Sequence, residues 1–93
     1  MLKRWAHESR LYTSGGITFT YPTEPSNWFS SIPLINIGIQ LNNTVYSTNL
    51  IISHMVTSNT ITSCTVRVNS GNLLGMSEAL SGSVRIHFRA YEL

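Results

Sequence analysis

Val84, Ile86, Phe88 and Ala90 alternate without interruption with Arg85, His87, Arg89 and Tyr91. A period of two with one apolar side predicts a half-buried strand over Ser83–Tyr91. Ile17–Tyr21 repeats the pattern, with Ile17, Phe19 and Tyr21 on one face, and Pro22 and Pro25 end it. In Leu34–Leu41, Ile35, Ile37, Ile39 and Leu41 oppose Asn36, Gly38 and Gln40. Gly38 in mid-strand predicts a bulge or the close approach of another backbone. Leu50–Thr57 is apolar on both sides. Thr60–Asn69 turns Cys64, Val66 and Val68 one way and Ser63, Thr65 and Arg67 the other.

Turn residues separate these runs. Gly15-Gly16 stops the opening segment, which reads as a short helix from about Leu2 to Arg10 or as an extended lead-in. Thr23–Ser31 is expected to loop, carrying the Trp28-Phe29 pair. Asn42-Asn43-Thr44 and Ser58-Asn59 are expected turns. Asn69–Gly82 reads as a Gly/Ser/Asn loop. Its Leu73, Leu74, Met76, Ala79 and Leu80 form one helical turn or cover an end of the core. Short strands between turn signals predict an all-β fold, a small antiparallel β-sandwich of about six strands. It occupies residues 17–93 behind a lead-in of residues 1–16; the sixth strand comes from Val45–Ser47 or the lead-in.

Composition narrows the function. Only 11% of the 93 residues are charged, the net charge is +2, and Asp is absent. Ser, Thr and Asn make up a third of the chain, so neutral hydrogen-bonding groups cover the surface. A chain this small has a marginal core as a lone monomer. Its basic excess is too slight for a nucleic-acid footprint, and no nucleic-acid partner is expected. Met1–Arg10 lacks the apolar core of a signal peptide. The longest apolar stretch, Leu50–Val56, is interrupted by Ser53 and His54 and is too short to span a bilayer. Cys64 is the single cysteine, which excludes an intrachain disulfide and predicts a buried, inert thiol.

Catalytic chemistry has little to work with. Gly75-Met76-Ser77-Glu78-Ala79 lacks the second glycine of a nucleophile elbow. Glu8, Glu24, Glu78 and Glu92 fall outside the expected strands, so no carboxylate pair is positioned for hydrolysis. An enzyme is not expected. His7, His54 and His87 share no metal-ligand spacing, and neither metal nor cofactor is expected. His54, among aliphatics, reads as a hydrogen-bonded, partly buried imidazole. Trp28-Phe29 plugs the end of the core or a neighbouring subunit, or stacks on a sugar. Asn42, Asn43 and Tyr46 combine planar amides with an aromatic face, which suits neutral carbohydrate. Asn42-Asn43-Thr44 is also a glycosylation sequon. The row Arg85, His87, Arg89 and Tyr91 departs from the neutral outer faces elsewhere. It meets a partner, another copy of the chain or a ligand, or it is an ordinary solvated face. Arg suits interfaces, so this row is the candidate subunit interface.

The order of segments resembles a known family. ITFTYPTEPSNWFSSIPLINIGIQL gives a strand, a proline-containing aromatic loop, and a proline before a long aliphatic strand. NLIISHMVTSNTITSCTVRVN gives two strands joined by a short turn, and GSVRIHFRAYEL a closing strand. From Ile17 to Leu93 this resembles the H-type lectin domain and the C-terminal receptor-binding domain of phage tail-fibre proteins. The resemblance implies a homotrimer, doubled to a hexamer in some lectins, at the tip of a virion tail fibre. It implies a bacterial surface carbohydrate as ligand, with an upstream fibre chain as a further partner. The family's Trp- and Asp-containing sugar segment corresponds here to Asn69-Ser70-Gly71-Asn72, which has neither, leaving Asn72 as the ligand candidate there. Phe88 stands where a Trp is common. The expectation is a distal receptor-binding module. Its rivals are a structural trimerisation cap and a free-standing H-type-like lectin.

Overall fold

The computed structural model describes residues 3–41, 51–72, 75–78 and 82–92, and every regular element among them is a strand. In chain order these are β1 (Lys3–Leu11), β2 (Ile17–Thr20), β3 (Leu34–Leu41), β4 (Ile51–Asn59), β5 (Ser63–Asn72), β6 (Gly75–Glu78) and β7 (Val84–Glu92). Antiparallel pairing sorts them into two sheets. One has the order β1-β7-β3. The other is built on β5, with β4 along one edge. β2 and β6 share the opposite edge, β2 against Ser63–Val66 and β6 against Asn69–Asn72. The result is the small all-β sandwich that the alternation predicts.

The core lies where the two apolar faces meet. Ile17, Phe19, Cys64, Val66 and Val68 come from one sheet, and Val84, Ile86, Phe88 and Ala90 from the other; all are buried. Phe19 stacks on Phe88 across the gap, with ring centroids 4.2 Å apart and planes 6° from parallel. Tyr21 lies over the same Phe88 ring and meets Phe29 edge-on at 5.0 Å. Ile35, Ile37 and Ile39 pack against this cluster but stay partly open, because β3 is an edge strand.

Side chains clasp the rims. On the β1 side, Arg10 donates to the Thr18 carbonyl at 2.8 Å and lays its guanidinium 5.4 Å from the centre of the Phe19 ring. On the β4 side, Tyr21 donates to Asn59 Oδ1 at 3.0 Å, and Asn59 Nδ2 donates to the Pro33 carbonyl at 3.0 Å. The crossing from β1 to β2 turns on Gly15 and Gly16, with φ of 94° and 115°. A Cβ on Gly16 would also lie 3.3 Å from the Val66 carbonyl oxygen, so conformation and space both call for glycine there.

Four expectations need correction. The opening segment is the extended alternative and not the helix, and it supplies a strand of the sandwich itself rather than a lead-in ahead of residue 17: Lys3–Leu11 is β1, paired along β7 with a register shift between Trp5 and Glu8. Cross-strand pairing overrides the mixed local pattern there. The Asn69–Gly82 loop is partly regular, since β5 runs on to Asn72 and folds against Gly75–Glu78. Leu73, Leu74, Ala79 and Leu80 lie outside the described residues. The turn expected at Ser58-Asn59 sits at Thr60–Thr62, because Thr57 is an extra residue in the β4–β5 register and the Thr60 hydroxyl accepts from the Thr62 and Ser63 amides. His54 is exposed, although it pairs with buried Val68. On the inner side of edge strand β4, Ile52 packs against the core while His54 and Val56 remain open.

Emptying the aromatic stack is expected to be costly. Phe88→Ala should lower unfolding free energy by about 3–5 kcal/mol in equilibrium urea denaturation. A wild-type midpoint with an unchanged slope would mean that Phe88 does not hold the sheets together.

Candidate functional site

The alternation that buries Val84, Ile86, Phe88 and Ala90 necessarily turns Arg85, His87, Arg89 and Tyr91 to the outer face of the three-stranded sheet. Register decides what surrounds them. On β3, Gln40 pairs with Arg85, Gly38 with His87, Asn36 with Arg89, and Leu34 with Tyr91. On β1, Leu11 pairs with Arg85 and Ser9 with His87. Directly paired residues share a face, so among the described side chains this side of the sheet gathers two amides, two guanidiniums, an imidazole and a phenol.

An open cavity of about 210 Å³ lies on this face, lined by Asn36, Gly38, His87 and Arg89. Gly38 makes the room. Its pairing with His87 is regular, so there is no bulge, and a Cβ there would meet the His87 Cβ at 3.7 Å. The glycine therefore leaves bare backbone as a floor between its neighbours' side chains. This corrects the expectation of a bulge or of a backbone packed close against it.

The outward row divides by partner. Arg85 donates to the Ser9 hydroxyl at 3.1 Å and to the Ser9 carbonyl at 3.4 Å. His87 Nε2 lies 2.7 Å from Gln40 Oε1; an amide oxygen only accepts, so the Nε2 proton points at Gln40. Both are thus held within their own chain, which weakens the argument that a neighbouring subunit must satisfy them. Arg89 is exposed, and its guanidinium has no hydrogen-bond or ion-pair partner among the described residues. Asn36 and Tyr91 likewise make no side-chain hydrogen bond there.

Of the other candidate ligand residues, Asn42, Asn43 and Tyr46 lie outside the described residues. Asn72 is described by its backbone, which ends the β5–β6 ladder opposite Gly75. The Trp28-Phe29 pair separates: Phe29 is buried against Tyr21, while Trp28 is 43% exposed. Cys64 is buried beside Tyr21, and burial pushes the thiol and the phenol above their ordinary pKa values. Neither is a nucleophile at neutral pH. Sequence reasoning missed the cavity as a unit. Asn36, Gly38 and Gln40 were legible as one outward set, and the glycine among them was the available signal.

No family model, no curated protein and no solved structure matches this chain. No helix among the described residues is long and apolar enough to cross a membrane.

The loop before β3 is tied to β7 beside this face. Ser30 and Ser31 donate backbone amides to Glu92 Oε2 at 3.0 and 2.6 Å, and the Ser31 hydroxyl donates at 2.6 Å. These bonds, the Ser31 hydroxyl's first, hold the Glu92 carboxyl below the usual carboxylate range. A depressed pKa stabilises the fold above the unfolded carboxyl's value, and that contribution is lost as pH falls through the folded one. Glu92→Gln should therefore melt lower than wild type at neutral pH, with the gap closing as pH falls below about 4. A gap independent of pH in thermal melts would detach the Glu92 charge from the loop's anchoring.

Proposed function

We propose that this chain is a carbohydrate-binding module that works as a homotrimer, the distal receptor-binding piece of a phage tail fibre or a related adhesin. It binds a bacterial surface glycan at the virion's fibre tip and catalyses nothing. The observation that carries the reading is the outer face of the three-stranded sheet, where an open polar cavity floored by Gly38 sits among Asn36, His87 and Arg89. A planar amide, an imidazole and a guanidinium around bare backbone are the groups that recognise hydroxyl-rich rings. Leu34 and Tyr91 form the next cross-strand pair, an apolar flank for the ring's C–H side.

Exposed apolar side chains support assembly. Trp28, Ile32 and Leu34 are 43%, 60% and 50% exposed along the loop entering β3, and Met55 and Val56 stand open on β4. A small domain with this much unburied apolar surface gains from association. The same residues support a second reading, a structural trimerisation cap without a ligand. A free-standing H-type-like lectin would share the cavity and lack the fibre. In either assembly the Arg85, His87, Arg89 and Tyr91 row borders the subunit contact, with Arg89 and Tyr91 the members that have no side-chain hydrogen bond among the described residues.

Two measurements test this. Light scattering at micromolar concentration should return the mass of three chains; a monomer mass overturns the assembly. A bacterial glycan array should give signals that Gly38→Val, which fills the cavity, reduces by at least about tenfold. A trimer that binds no glycan would leave the cap.

A further inference from the structure

We infer that the cavity on the outer face of the three-stranded sheet takes an acidic sugar residue, with Arg89 gripping its carboxylate. The inference rests on the carbohydrate reading above and names the ligand class for that site. Charge comes first. Arg89 presents an exposed guanidinium without a partner among the described residues. In a chain whose formal charges are so few, an unpaired cation at the rim of a cavity is a recognition group in waiting. No described acidic side chain competes for it: Glu24 lies in the loop between β2 and β3, and Glu92 is held by Ser30 and Ser31. A guanidinium's fork matches a carboxylate bidentately, which a sugar hydroxyl cannot reproduce.

Geometry supplies the rest. Asn36 is the direct cross-strand partner of Arg89, so its amide, which has no side-chain hydrogen bond of its own among the described residues, faces the same ligand from the neighbouring strand. It can donate to one oxygen and accept from a hydroxyl. His87 forms the next wall, its ring orientation fixed by Gln40 at 2.7 Å. Gly38 keeps the floor bare, so a ring can lie against the strand. The volume of about 210 Å³ is smaller than the roughly 300–1,000 Å³ typical of sites for drug-sized ligands. It therefore holds a single ring of a longer chain, with the glycan's remainder running over the open face. Arg85, tied to Ser9, lies outside the cavity lining and provides background positive potential.

The test is an amide-shift titration of the full chain by NMR in its native assembly. D-glucuronate and D-galacturonate are the probes. D-glucose and D-galactose, which carry CH₂OH in place of the carboxylate, are the controls, with acetate as a bare carboxylate. The uronates should move the Asn36, Gly38, His87 and Arg89 resonances and bind about tenfold or more tighter than the neutral sugars. Acetate should move them less than the uronates do. Arg89→Gln, an exposed position that does not disturb packing, should erase the preference while leaving the spectrum folded. Equal binding of neutral and acidic sugars at these residues overturns the acidic assignment and leaves the module's function standing. So does a uronate preference that survives Arg89→Gln. Acetate acting as strongly as the uronates marks an adventitious ion only, and overturns it too. Failure of every sugar here, with the glycan array also blank, removes the carbohydrate reading itself.

Discussion

Everything in this domain hangs on one ring lying flat on another. Phe19 belongs to the sheet built on β5 and Phe88 to the sheet centred on β7, and their centroids are 4.2 Å apart. Two small sheets of this size bury too little surface to tolerate a loose gap. The stack sets their separation at the centre of each apolar face. Tyr21 and Phe29 extend it toward the loop end, where Pro33 is also buried. Since Phe88 is fixed inward, the period of two leaves Arg85, His87, Arg89 and Tyr91 no choice but the outer face. The cavity is thus a consequence of core packing before it is anything else.

Away from that centre, side-chain hydrogen bonds do what larger cores do with apolar contacts. Arg10 reaches a backbone carbonyl on β2, Asn59 links Tyr21 to Pro33, and Glu92 collects Ser30 and Ser31. The Asn59 and Glu92 clasps join segments far apart in sequence. The abundance of Ser, Thr and Asn, which first suggested a neutral surface, also equips the rims with short donors and acceptors. Arg10 lies on the inner side of edge strand β1, where its stem and guanidinium shield the margin of the Phe19 ring.

Strands with clean alternation could be read in advance, and for a physical reason. β2, β3, β5 and β7 each put one side on the core, so burial writes a period of two into the chain. β1 and β6 carried no such imprint. Both pair through the backbone with a neighbour, β1 with β7 and β6 with β5. β4 misled through its apolar composition, since its inner side is covered at Ile52 and left open at His54 and Val56. The site divides the same way. Which residues face outward was legible; which stand side by side was not. Asn36 meets Arg89 through a cross-strand register between residues more than fifty positions apart, and no local pattern encodes that.

The central place of β7 has a consequence for how the molecule comes to exist. Both of its neighbours, β1 and β3, precede it in the chain, and neither pairs with the other. During synthesis the β4–β5 hairpin can zip as soon as it emerges, because its strands are contiguous. β1 and β3 must wait as unpaired edges until the last strand arrives to bridge them. Such late, long-range closure is slow, and exposed edges invite pairing with other chains meanwhile. In that interval β1 and β3 are the edges most open to pairing with another chain, and the arrival of β7 is what closes both at once.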